Sequence, residues 1–239
     1  MTIRDIAVAF GIEVDQKSVG AAENAIKGVK NMASKLLGAI GIGFSIAGIA
    51  NLAEAAADAE ALKSQFSQVF GDLEQDASDK LDKIADETGV TVNRMKGSFT
   101  QIAAFAKTTG MEQADALDIA DRSMKAVADS AAFYDRSIED VTNSLQSFLK
   151  GNFENDAALG LSCTETTRNT AANALYGKSF KDLSEAEKQL TLLQMVEDAN
   201  KASGAIGQAA RESDTWTNQL GNLKQNVQDL KAAAGNAFL

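Results

Sequence analysis

No proline occurs anywhere in the 239 residues, so nothing in the chain forces a helix to break and no slow X-Pro isomerisation limits folding. An average chain of this length would carry about a dozen. Long helices are permitted, and glycine is left as the main punctuation. Gly71, Gly89, Gly110, Gly151, Gly160 and Gly177 stand where apolar periodicities of three and four residues stop, as helix-terminating glycines do.

Between those glycines the spacing predicts a series of amphipathic helices. Leu62, Phe66, Val69 and Phe70 form a core-facing stripe that ends at Gly71. Ala77, Leu81, Ile84 and Ala85 mark the next helix, and Met95, Phe99, Ile102 and Ala106 another, with Thr91 placed to cap it. Leu117, Ala120, Met124, Val127 and Ala131 mark a third. Ile138, Val141, Leu145, Phe148 and Leu149 mark a fourth, opened by Ser137 with Asp140 three residues on. Residues 153–182 are less periodic and read as short helices mixed with loops. Ser184 with Glu187 is a capping box that opens a helix through Leu190, Leu193 and Val196, and Gly204 and Gly207 form a candidate hinge after it. The fold class is mainly α, with one or two domains in a chain of this length.

Both ends differ from this middle. Val8, Phe10, Ile12 and Val14 alternate with polar or small residues, the two-residue period of a half-buried strand. With no second strong strand signal, that strand is expected to pair with another copy of the protein. Asp15 offers an N-cap for a helix through Ala21, Ala25, Val29, Met32 and Leu36. That helix leads into the charge-free run LLGAIGIGFSIAGIANLA at 36–53. About thirty-five charged and apolar residues precede the run, which does not fit a secretory leader. As a single membrane span it is marginal in length and hydrophobicity. Ala39, Gly43 and Ala47, with Phe44 beside them, put small residues on one helical face, suited to close helix packing with or without lipid.

At the other end Trp216, Leu220, Leu223, Val227, Leu230, Ala234 and Ala237 step by four and three, the seam of a heptad repeat and a candidate surface for oligomerisation. Trp216 could anchor a partner or plug the junction between domain and rod. The domains read from sequence are 1–15 as a strand segment, 16–70 as an apolar Gly/Ala-rich helical segment, 71–207 as a compact helical domain and 208–239 as the start of a coiled-coil-like rod.

Chemistry is thinly represented. There is no His, which removes the commonest general base and metal ligand near neutral pH. Cys163 has no partner for an internal disulfide and no base among its sequence neighbours. Asp79, Asp82 and Asp86, and likewise Asp115, Asp118 and Asp121, have the spacing of solvated helix faces rather than of a calcium loop. The glycines of GAIGIG are followed by no Lys and preceded by no strand, so no nucleotide fingerprint is met. A formal net charge of −10 argues against binding along a nucleic-acid backbone. No catalytic residue, metal site or cofactor is expected.

The order of strand, Gly/Ala-rich helix and helical domain, followed by GQAARESDTWTNQLGNLKQNVQDLKAAAG, resembles the N-terminal region of tail tape measure proteins of long-tailed bacteriophages and prophages. So does ALGLSCTETTRNTAANALYGKSFKDLSEAEKQ, where an LGLS turn is followed about twenty residues later by LSEAEK. The resemblance covers almost the whole chain and is densest from Val69 to Leu230. It implies a structural virion protein, extended in the tail lumen, that sets tail length during assembly in the host cytoplasm and leaves ahead of the DNA at infection. The partners it implies are further copies of the chain, tail tube and tail tip proteins, tail assembly chaperones, and the host membrane during ejection. At 1.5 Å per residue, 239 residues in one helix span only about 360 Å, so a ruler of ordinary length needs more chain than this. A truncated piece of a longer protein is the corresponding expectation. The rival class is a helical pore-former that inserts residues 36–53.

Overall fold

The computed structural model describes residues 46–154, 156–213 and 216–236. The candidate strand residues Val8, Phe10, Ile12 and Val14, and Ala39, Gly43 and Phe44 of the apolar run, lie outside the described residues. Two compact units divide the chain, one made of residues up to Asp58 together with Val227 onward, the other of Ala59–Asn226. The described residues are mainly helical and include no strand.

In order these helices are α1 (Ile46–Phe70), α2 (Glu74–Thr88), α3 (Val92–Thr108), α4 (Gln113–Phe133), α5 (Ile138–Leu149), α6 (Glu165–Tyr176), α7 (Glu185–Ser203), α8 (Gln208–Arg211) and α9 (Trp216–Asn236). Tighter 3-10 turns at Gly71–Leu73, Asp156–Leu159 and Phe180–Asp182 join some of them. Every glycine named above as a helix terminator adopts positive φ, as do Gly204 and Gly207.

In the larger unit α4 is the central helix. It packs against α2, α3, α5, α7 and α8. The sequence explains why one helix can meet so many others. Ala116, Ala120, Ala126, Ala128 and Ala131 are small and buried, and Ser123 and Ser130 are fully enclosed, so neighbours approach on several sides. Larger side chains fill what remains: Phe66, Phe70 and Phe99 form a ring cluster with centroids 4.8 to 6.5 Å apart, backed by Met95, Ile119, Met124, Leu145 and Phe148. The stripes read from spacing coincide with this core at Ala77, Leu81, Ile84, Met95, Phe99, Ile102, Ala106, Leu117, Val141 and Val196.

The local signals also hold. Ser137 Oγ accepts the Asp140 N–H, and Ser184 with Glu187 closes its capping box in both directions. Thr91 occupies the N-cap of α3 but makes no side-chain cap bond. Residues 153–182 do mix short helices with loops, and they include a three-turn helix, α6, opened by a second capping box between Thr164 and Thr167. Thr in place of Glu or Gln at the third helical position hides that box from the usual sequence signature.

In the smaller unit, the described part consists of the start of α1 and the end of α9. Leu52 and Ala56 are buried, and Gly235 is buried with its Cα against the Leu52 carbonyl and the Ala56 methyl.

Candidate functional site

A polar, partly enclosed region of the larger unit lies along α4 and α7. The helical phase of α4 puts Arg122, Lys125 and Asp129 on successive turns, and α7 brings Glu197 and Asn200 opposite them. Arg122 donates to Glu197 through Nε at 2.9 Å and Nη2 at 2.7 Å, a two-pronged pair. Asp118 adds a longer contact at 3.7 Å. The Glu197 hydrogen bond, aided by the charges of Glu197 and Asp118 and opposed by burial, holds the guanidinium above its ordinary pKa. Arg122 therefore acts here as a fixed cation.

One turn on, Asn200 is 2% exposed and fully engaged in the wall: its Nδ2 donates to the Ala126 carbonyl and its Oδ1 accepts from Ser130 Oγ, both at 2.9 Å. Asp129 receives the Gly207 N–H at 2.8 Å and the Ala209 N–H at 3.1 Å, which pins the start of α8 to α4. The candidate hinge at Gly204 and Gly207 is thus a tied turn. Its Ala205 is completely buried, and Arg211 donates to the Gly204 and Ile206 carbonyls. The physical reason is that both glycines serve left-handed backbone positions at helix ends, where a glycine fixes the chain as readily as it frees it.

Between these groups runs an open groove of about 440 Å³, lined by Thr88, Ala126, Ile206 and Ala210 as well as the charged residues. Ile206, 55% exposed, stands at its edge. Its polar wall is already paired within the protein, so what the groove offers a visitor is chiefly apolar surface. No nucleophile stands beside a base in it.

Asp121 corrects a sequence expectation. Its triplet partners Asp115 and Asp118 are exposed, as are Asp79, Asp82 and Asp86, but Asp121 is 7% exposed. Lys80 from α2 reaches its Oδ2 at 2.9 Å, and Lys125 lies 3.2 Å from Oδ1. A carboxylate buried between two ammonium groups is a helix-to-helix clamp, and only the approach of α2 to α4 could reveal it.

Cys163 is half-buried. Burial, and to a smaller degree Asp156, push its thiol pKa up against the opposing influence of Arg168, whose guanidinium lies 3.6 Å from the sulfur. That leaves it a weak nucleophile. Arg168 itself sits over the Phe153 ring at 4.1 Å and nearer the edge of range for Phe180 at 5.6 Å, tying the irregular 153–182 segment together. Among the described residues no cluster of three His, Cys, Asp or Glu side chains could hold a metal ion.

The two motifs that carried the family resemblance have structural explanations. In LGLS, Gly160 adopts φ +73°, and Tyr134 Oη occupies the place a side chain there would need. In LSEAEK, Leu183 is buried at 5% and Ser184 with Glu187 builds the α7 cap. Neither motif presents reactive groups.

Of the proposed seam, Leu223 is 58% and Leu230 39% exposed, while Val227 is half-buried. The side chains of Ala47, Trp216 and Leu220 lie outside the described residues, although all three positions are helical. No described helix is long and apolar enough to cross a membrane. No protein-family model matches the chain, and no curated protein or solved structure matches it either.

Proposed function

We propose that this chain is a structural component of a phage or prophage tail, the N-terminal region of a tape measure protein, which performs no bond-making chemistry. The observation that supports this most directly is how the polar groups of the helical domain are engaged. Arg122 with Glu197, Asp121 with Lys80, Asp129 with the α8 amides, and Asn200 with Ser130 all join one helix or turn to another. They behave as cross-braces. Leu223 and Leu230, seven residues apart on α9, add an exposed apolar strip suited to association.

On this reading the chain works as several copies in the tail lumen. Its N-terminal strand pairs between copies, α9 begins a coiled-coil-like rod, tail tube and tip proteins form the surroundings, and assembly chaperones cover it beforehand in the host cytoplasm. Residues 36–53 pack within protein during assembly and meet the host membrane only at ejection.

The test is co-expression with tail tube and tail tip proteins of a long-tailed phage. Co-assembly into a particle of defined copy number is expected. A chain that stays monomeric at high concentration beside every tail component would overturn the proposal. Leakage of anionic vesicles caused by the isolated chain, with no such co-assembly, would instead identify a pore-former.

A further inference from the structure

Charge is divided unevenly between the helices of the larger unit. α2 carries Glu74, Asp76, Asp79, Asp82, Asp86 and Glu87 against only Lys80 and Lys83. α3 has no acidic residue from Val92 to Thr108 but holds Arg94, Lys96 and Lys107, and α5 has none after Asp140 and is followed by Lys150. Some of these charges are satisfied within the chain, Lys80 by Asp121 and Arg94 by Glu139. Others are left over. Asp82 and Asp86 are exposed, stand one helical turn apart, and have no hydrogen-bond or ion-pair partner among the described residues. Lys150 is exposed as well and meets no carboxylate among them; its Nζ lies 5.3 Å from the centroid of the Phe105 ring.

Lys150 stands at the rim of a groove of about 320 Å³ between α3 and α5. Ile102 and Leu149 in its wall are buried, so what the groove turns outward is the half-buried Phe105 ring, the Lys150 ammonium and a pair of amides. Gln146 Nε2 donates to Gln101 Oε1 at 3.2 Å, which leaves the Gln101 Nε2 donors without a partner among the described residues. A rim of donors, with no acidic residue in the lining, suits carboxylates.

We propose that this groove receives the outer face of α2 from a second copy of the chain, with Asp82 and Asp86 set on Lys150 and the Gln101 amide. No residue of α2 lines the groove in its own copy, so the pairing joins two copies. It adds a charged interface to the apolar seam of α9, and it holds whether or not the chain belongs to a phage tail. Two copies of net charge −10 repel each other at a distance, but at 0.1 M salt that repulsion is screened beyond about 10 Å while ion pairs in contact persist. Exposed ion pairs are individually weak, so the association is reversible and declines as more salt is added. Association through an apolar seam carries no such decline.

Sedimentation of the full chain between about 0.1 and 1 M NaCl tests it, together with carbodiimide cross-linking of mixed isotopically light and heavy chains. The wild-type protein should associate less at high salt and give a zero-length link from Lys150 of one isotope to Asp82 or Asp86 of the other. Lys150→Glu, and Asp82→Lys combined with Asp86→Lys, should each weaken association at low salt roughly 3- to 30-fold, as reversing one or two exposed ion pairs does. Mixed together, the two variants should associate again, because each supplies the charge that the other lacks. The aspartates have no partner in the fold, so their reversal should leave the melting midpoint unchanged, and Lys150→Gln serves if Lys150→Glu fails to fold. A chain that stays monomeric at low salt, association indifferent to either variant, links confined to single copies, or variants that do not rescue each other would each overturn the interface.

Discussion

Replacing Gly160 by Ala adds one methyl group, and the geometry predicts a large cost for it. Two terms contribute. The backbone at φ +73° is left-handed, which costs a residue with a Cβ about 1–2 kcal/mol. The new methyl would also occupy the site of the Tyr134 hydroxyl, so the ring must leave its position. That ring meets Phe133 edge-on, with centroids 5.0 Å apart, and displacing it from a preferred rotamer and a good aromatic contact costs roughly another 1–2 kcal/mol. The sum is about 2–4 kcal/mol. For a domain of this size each kcal/mol corresponds to about 2–4 °C, so the melting midpoint should fall by roughly 4–16 °C. The assay is paired thermal and urea unfolding of Gly160→Ala, Tyr134→Ala and the double variant. With the ring absent, only the backbone term remains, so the two substitutions should couple by about 1–2 kcal/mol. A loss under about 1 kcal/mol for Gly160→Ala, or strict additivity with Tyr134→Ala, would refute the reasoning.

Asn200→Ala removes both of its buried hydrogen bonds and leaves the buried Ser130 hydroxyl without its Asn200 acceptor, so the urea midpoint should fall by an amount equivalent to about 2–4 kcal/mol with an unchanged m-value. Ser184→Ala breaks one half of the α7 capping box, which should cost about 1 kcal/mol by the same measurement. The Glu187 carboxyl is held below its ordinary value of 4.5 chiefly by the Ser184 N–H and hydroxyl, against slight burial. At Glu139, burial pushes the carboxyl up, but the Arg94 hydrogen bond, a backbone N–H and the Arg94 and Lys224 charges outweigh it, so it too is lowered. A depressed carboxylate stabilises the fold above its unfolded pKa and loses that contribution as pH falls through the folded one. Urea midpoints should therefore drop below about pH 4.5, and Glu139→Gln and Glu187→Gln should each make that acid decline shallower.

The helical domain was legible in the sequence wherever one helix decides its own face. Without proline, and with glycines ready for left-handed ends, intervals of three and four from Ala77 to Val196 marked helices whose stripes became the core. Ser137 and Ser184 announced their helices because a cap is a contact between residues three apart in the chain. Where the decision belongs to two distant segments, sequence had no access to it. Asp121 belongs to a regular series of aspartates, and only the passage of Lys80 on α2 makes it a buried clamp. Gly204 and Gly207 read as loose until Asp129, some eighty residues earlier, takes the amides of the turn. Spacing marked the apolar seam of α9, but it did not show that Gly221 and Asn222 of the same helix meet Gly89, Thr91 and Arg94, more than a hundred residues away. Local sequence fixes which conformations a segment can adopt because those energies act over three or four residues. Partners for buried charges, and room for a glycine, exist only once separate helices have been brought to within a few ångströms of each other.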